Sequence, residues 1–396
     1  MGVFSGQINT LRARIGLDRW SFSALLIAGL VLLPILSVLW IALHPDENIW
    51  PHLLATTLPR YLANTLLLML ATGLLTAMLG TGAAWLVVMY RFPLRGVLQW
   101  ALLLPLAIPA YVGAYALVDF LEYAGPVQSA LRTLFGWSSA RDYAFPEMRS
   151  RTSAVIVLSA SLYPYVYLLA RTAFREQSAG VLEASRALGA GPWRSFLTVG
   201  LPLARPAIAA GVAIVMMETA SDFGTVEFFA VQTLTTGIFS VWLEQSNAGG
   251  AAQLALVILG LVFVLVAVEK SGRRKLRFFQ TSRRKQPVDP HPVTGVAAGL
   301  AIGLCLIPFL AGFVLPAGVI VWHALSLAGP WSDPGLYVAL WNTVWVAGGA
   351  ALATVLGAVI MVYGVRLSGR RGAREQLPPP PHRDPPHPLP RQPQPL

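Results

Sequence analysis

Three carboxylates, Glu218, Asp222 and Glu227, interrupt a stretch that is otherwise apolar. Glu218 and Asp222 are four residues apart and would share one face of a helix, with Glu227 about one turn beyond. Ionisable groups in so apolar a setting are costly, and they face a cavity or one another. Two readings stay open: the three line a polar path, or they cap and tie helices at an interface. Other chemistry is sparse. His44, His52, His291 and His323 are scattered, which suits loop or interfacial roles better than metal ligation. Tyr163, Tyr165 and Tyr167 flank Pro164 and read as packing residues. Cys305 is the one cysteine, sits in an apolar block and has no internal disulfide partner. A phosphate-cradling loop needs Gly-Lys-Ser/Thr, but the only lysines are Lys270, Lys275 and Lys285, and none follows a glycine. With no nucleophile–base or metal-ligand constellation either, the chain is expected to be no enzyme and to bind no cofactor.

A second informative stretch runs from Gln177 to Pro206. Ala, Leu, Glu and Arg favour a helix as far as Leu188. Gly189 and Gly191 can take positive φ and stop it. Pro192 suits the first position of a second helix, where its missing N–H costs nothing. Leu201-Pro202 and Arg205-Pro206 mark entry into the next apolar block. The stretch therefore reads as a compact helix–turn–helix with an apolar face.

The elements that carry these residues are set by hydropathy. Of the 396 residues 55% are hydrophobic and 12% charged, with mean hydropathy +0.61, so a soluble domain could not clothe its surface. Apolar blocks of about 20 residues match the hydrocarbon thickness of a bilayer, where helices satisfy their own backbone. Eight segments are expected: 22–43, 62–90, 97–120, 153–172, 206–230, 252–269, 296–325 and 342–365. The fifth is the one interrupted by carboxylates. With the N-terminus in the cytoplasm, 24 of the 29 Lys and Arg fall on the inner side and 5 outside, as the positive-inside rule requires. The net charge of +11 then reflects contact with anionic membrane lipid rather than nucleic acid. Arg12, Arg14 and Arg19 precede the first block without a small-residue cleavage site, as in a retained first helix.

The Gln177–Pro206 stretch resembles the EAA motif of ABC importer permeases. Glu183, Ala184, Gly189, Val199, Leu201 and Pro202 fall in its register, with Ser185 in place of the second alanine and Val199 in place of the usual isoleucine. The resemblance implies an all-α integral membrane protein of the type I importer class, a permease subunit in the bacterial inner membrane. Its partners would be ABC ATP-binding subunits, which use the ATP, and a periplasmic solute-binding protein. The 177–206 loop, with Ala184 and Ser185 among its coupling residues, would dock on the ATPase: Glu183 and Gly189 would shape the turn, Leu188 and Trp193 would supply apolar contacts, and Leu201 and Pro202 would lead back into the membrane. Met217–Val226 and Gln232–Phe239 look like the Ala-Asp-Phe-Gly-Thr-Val and Thr-Thr-Ala-Ile-Tyr stretches of fused ferric iron permeases. That likeness implies iron as the solute, with Glu218, Asp222 and Glu227 on the path, since hard carboxylate oxygens suit a ferric ion. Related fused permeases carry thiamine, phosphonates or polyamines. An ion-coupled secondary transporter is a further alternative, though it gives no reason for the loop's register.

The beginning of the chain recurs. Leu33-Pro34, Trp40, Ala42 and Leu43 align at one offset with Leu315-Pro316, Trp322, Ala324 and Leu325, and Asn64-Thr65 aligns with Asn342-Thr343 at a slightly shorter one. The expected organisation is a cytoplasmic arm 1–21, a first six-span repeat 22–269 holding the loop at 177–206, a basic linker 270–290, and the start of a second repeat at 291–370. The tail, 371–396, is rich in proline, with ten in its last twenty residues. Those twenty cannot be helical, and the tail reads as disordered. From Leu377 it uses almost only residues whose codons can begin with C, as a shifted reading frame would. One complete half plus two helices of a second is thus expected, and a truncated, nonfunctional fragment is another reading.

Overall fold

The computed structural model describes residues 19–45, 49–177, 179–274, 289–326, 331 and 333–375. The expected cytoplasmic arm, most of the basic linker and all of the tail beyond Glu375 lie outside the described residues. The chain divides into two compact units, residues 1–37 with 329–396, and residues 38–328.

The first unit is built from two apolar helices. Helix α1 (Arg19–Leu43) begins in it. The last described helix runs from Pro334 to Glu375 without a break, so residues 371–375, expected to open the disordered tail, are helical; the prolines that forbid a helix begin only at Pro378. Both are long and apolar enough to cross a bilayer, and none of the residues in their most apolar windows is buried.

The second unit centres on α2 (Leu58–Met89), which lies against a long helix Arg151–Glu176. Their approach is set by small residues, as is usual between helices in lipid. A Cβ on Gly80 would stand 2.8 Å from the Tyr167 nitrogen and 2.9 Å from the Tyr163 oxygen. Trp85, Met89, Leu102, Tyr163, Tyr167, Phe174 and Cys305 form the largest buried cluster. Between these two helices the chain makes α3 (Arg95–Ala101), a 3-10 turn (Leu104–Ala107), α4 (Ala110–Leu121) and α5 (Pro126–Phe135). The axis turns by 96° at the break after Ala107. The uninterrupted span expected over 97–120 is therefore broken. Pro105 and Pro109 bracket the break, and neither has an N–H to donate to a continuing helix.

The next elements are α6 (Arg151–Glu176), α7 (Ala179–Ala187) and α8 (Leu201–Ser221). Helix α8 packs on both α2 and α6. A Cβ on its Gly211 would lie 2.8 Å from the Val166 Cα. The fifth expected span, 206–230, is corrected at both ends. It starts at Pro192, because the turns Pro192–Ser195 and Phe196–Gly200 run into α8, and it stops at Ser221. Beyond it follow α9 (Gly224–Phe228), α10 (Leu234–Phe239) and α11 (Ala248–Arg274).

The start of the expected second repeat forms α12 (Gly295–Phe309), a π turn Leu310–Val314 and α13 (Leu315–Ser326). These pack on α4 and α6. A Cβ on Gly312 would overlap the Ala160 carbonyl of α6, and His323 Nε2 lies 3.0 Å from Asp119 Oδ2 of α4. Residues Tyr90–Arg91 pair in parallel with His291–Pro292; Val293 N–H donates to the Arg91 carbonyl at 3.0 Å. Among the described residues, seven helices can cross a membrane, or eight if the bent 95–135 pair counts as one. The chain is an all-α multi-pass membrane protein.

Candidate functional site

The elbow between α6 and α8 is built by local rules. Helix α7 ends in a left-handed Gly189 with φ +82°. The Ala190 N–H reaches back to the Ser185 carbonyl at 3.1 Å, the six-to-one bond of a glycine-terminated helix. Gly191, free to take positive φ, is instead extended, with φ −64° and ψ 170°; Pro192 opens the next turn at its first position. Ser185 Oγ and Ser195 Oγ lie 3.0 Å apart and tie the two arms. Glu183 and Ala184 are exposed on α7. Leu188 is 89% exposed and Trp193 71%, an unusual state for such side chains. Leu201 and Pro202 are the first residues of α8 and half-buried.

The elbow is anchored to the bundle at Gly200, where a Cβ would overlap the Trp85 ring. Trp85 packs edge-on to Phe174 at 5.2 Å and against Phe196 at 4.9 Å. Gln177 Nε2 donates to the Gly200 carbonyl at 2.9 Å. These contacts join the elbow to both α2, through Trp85, and the end of α6, through Phe174 and Gln177.

The three carboxylates are not one cluster. Asp222 leaves α8 (φ −65°, ψ 131°) and caps α9: its Oδ1 accepts the N–H groups of Thr225 at 3.0 Å and Val226 at 3.1 Å, and its Oδ2 accepts the Thr225 hydroxyl at 3.0 Å. This is the capping role the sequence left open. The Asp222 carbonyl accepts the Thr235 hydroxyl at 2.7 Å. Thr233 and Thr236 form a reciprocal cap at the start of α10, and Phe223 stacks on Phe239 at 3.8 Å. The whole assembly is pinned to α2, where the Leu234 N–H donates to Thr65 Oγ1 at 3.1 Å and Asn64 Nδ2 donates to the Gln232 carbonyl at 2.7 Å. Asn64 and Thr65 had stood out only as repeat landmarks; their cross-chain hydrogen bonds have no local signature.

Glu218 and Asp222 face a cavity of about 210 Å³, whose other walls are Ser161, Tyr165 and the broken segment Pro105–Ala110. Glu227 lines a separate cavity of about 470 Å³ with Tyr61, Gln232, Thr236 and Glu244. Tyr163 and Tyr167 are fully buried, as packing residues. No group of three or more His, Cys, Asp or Glu able to hold a metal occurs among the described residues.

A family profile described as "Binding-protein-dependent transport system inner membrane component" matches residues 73–277, just over half of the chain. The chain is 26% identical over 314 residues to the Fe(3+)-transport system permease protein FbpB 2 of Haemophilus influenzae, covering 76% of this chain and 56% of that protein. The Escherichia coli K12 molybdenum transport system permease protein ModB is 28% identical, over 47% of this chain and 81% of its own length. The sulfate transport system permease protein CysT of the same strain is 27% identical, over 51% and 72%. In fold, the chain resembles a bacterial alginate ABC transporter crystallised with its alginate pentasaccharide-bound periplasmic protein, with TM-score 0.55 and 17% identity over 67% of this chain and 97% of that one.

Proposed function

This chain belongs to the binding-protein-dependent transport system inner membrane components, a family of transport permeases and not enzymes, and we propose that it forms the path of an ABC importer and takes its drive from separate ATP-binding subunits through the elbow at 177–206. The observation that supports this most is the elbow itself. It presents Leu188 and Trp193 to solvent on a turn locked by Gly189, and it is wedged against Trp85 at Gly200. An exposed apolar tip on a rigid, internally braced turn suits a grip for another subunit. Glu183, Ala184, Ser185, Leu188, Gly189 and Trp193 are the docking residues in this reading; Leu201 and Pro202 carry the motion into α8. The N-terminus and the elbow lie in the cytoplasm. A periplasmic solute-binding protein delivers the solute to the opposite end.

For the solute we favour ferric iron. The FbpB 2 likeness covers 76% of this chain, and two carboxylates rather than cations face the cavity beside the broken helix. Broken membrane helices beside a cavity supply turn-end dipoles and free carbonyls for a passing ion. Glu218 and Asp222 are the path residues in this reading, with Glu227 nearer the outer mouth. Because FbpB 2 is matched over only 56% of its length, the organisation as one repeat plus the start of another belongs to the same proposal.

Reconstitution with the ATP-binding subunits and a solute-binding protein tests it. Gly189→Pro and Glu183→Lys are expected to abolish stimulated ATP hydrolysis while leaving membrane insertion intact. Unchanged stimulation in both variants would count against the docking role. Stimulation by molybdate- or sulfate-loaded binding protein, and none by the ferric form, would replace iron as cargo and leave the permease reading standing.

A further inference from the structure

Near the junction of α2 and α3, and at the end of α6, four arginines crowd together: Arg91, Arg95, Arg171 and Arg175. The charges of the other three all act on Arg95. Like charges gathered without a counter-charge are destabilising, and a buried one strongly so. Yet only Arg91 has a carboxylate, Asp289 at 3.1 Å. Among the described residues no acidic group lies within ion-pair distance of Arg95, Arg171 or Arg175.

Arg171 is the critical member. It is 7% exposed, and its guanidinium donates to Gln99 Oε1 at 2.8 Å. It lies 5.3 Å from the Trp100 ring centroid and has a buried Nε with no hydrogen-bond partner. Gln99 is neutral and cannot compensate the charge. Arg95 uses only its Nε, on the Val87 carbonyl at 2.6 Å, which leaves its terminal nitrogens available. Arg175 is exposed beside them. Along the same short helix, Val97 is 66% exposed and Trp100 63%, an apolar strip leading away from the charges.

We infer that Arg95, Arg171 and Arg175 form a binding site for the phosphate of an anionic phospholipid, whose acyl chain lies along Val97 and Trp100. A basic cluster between helices, bordered by an exposed apolar strip that ends in a tryptophan, matches an anionic lipid in charge and in its apolar chain. A soluble anion would use the charges and leave the strip unused. The inference does not rest on the elbow's role or on the identity of the solute.

The test is native mass spectrometry on the full chain, delipidated in mild detergent and titrated with phosphatidylglycerol, phosphatidylcholine or inorganic phosphate. Phosphatidylglycerol is expected to stay bound at about tenfold lower concentration than phosphatidylcholine, and Arg175→Gln or Arg95→Gln to weaken it about fivefold each. Arg175→Lys is expected to keep most of the binding, and Arg149→Gln, at the other end of the bundle, all of it. The exposed Arg175 guards against misfolding as an explanation, because its loss removes charge without opening the core. Equal retention of both lipids, full binding in the Gln variants, or displacement by inorganic phosphate would each overturn the inference. So would loss of the lipid on adding the ATP-binding subunit, which would give the arginines to a protein carboxylate instead.

Discussion

Both carboxylate oxygens of Asp222 accept hydrogen bonds from the turn that follows it, while its cavity wall is shared with Glu218. The two roles separate by substitution. Asp222→Ala removes a cap and is expected to cost about 1 kcal/mol, seen as a lower midpoint of thermal unfolding in detergent. Asp222→Asn keeps an acceptor oxygen and is expected to lose only a few tenths of a kcal/mol. If the Asn variant folds normally but transports poorly, the charge itself serves the path. If it transports normally, the residue is a cap and no more. At Gly189, with φ +82°, an alanine must adopt the left-handed region at about 1–2 kcal/mol, and ATPase stimulation should fall in proportion. Gly189 and Pro192 were legible in the sequence because their rules are local. Asp222 was only half legible. Spacing alone placed it on a continuing helix with Glu218, whereas the donors that pull it out come from Thr225, Val226 and Thr235.

At the level of elements, glycine contacts decide how the helices sit. A Cβ on Gly200 would overlap the Trp85 ring, so Gly200→Ala must push the elbow from the bundle. The expected loss is about 1–3 kcal/mol, with ATPase stimulation impaired more than folding. A Gly200→Ala protein that couples normally would mean the elbow needs no fixed seat. Gly312 lies on the Ala160 carbonyl in the same way. Gly312→Leu should loosen the 295–326 pair from α6, read as faster hydrogen exchange over that pair while α2 stays protected. Hydropathy placed most of these helices within a few residues. It failed at 97–120 and 206–230, where a window average stays high across Pro105, Pro109 and Asp222. A break that keeps its apolar residues leaves no dip to see. The course of α7 into the next helix was seen, but its continuity through Phe196–Gly200 was not, because Leu201-Pro202 reads equally well as a stop and as a helix start.

For the whole molecule, the asymmetry of arginines along the chain predicts sidedness, and the lone cysteine makes it testable. Cys305 is fully buried, so an impermeant maleimide should leave the unmodified chain nearly untouched. A Trp193→Cys protein is expected to react only in inverted vesicles and Glu147→Cys only in right-side-out ones. Reaction of Trp193→Cys from the periplasm would remove the elbow from reach of any ATPase. The Leu-Pro, Trp and Asn-Thr landmarks of the proposed second copy were legible in the sequence; where residues 295–326 settle was not, because that depends on surfaces such as Ala160 and Asp119 far away in sequence. The short parallel pairing of Tyr90–Arg91 with His291–Pro292, together with the seat of Gly312 on Ala160 of α6, gives the segments on either side of residues 275–288 direct contacts of their own. Trypsin cleavage between Lys270 and Lys285 should give two fragments that elute as one particle. A split gene encoding them separately should then assemble as the fused one does, leaving the linker a matter of stoichiometry more than of architecture.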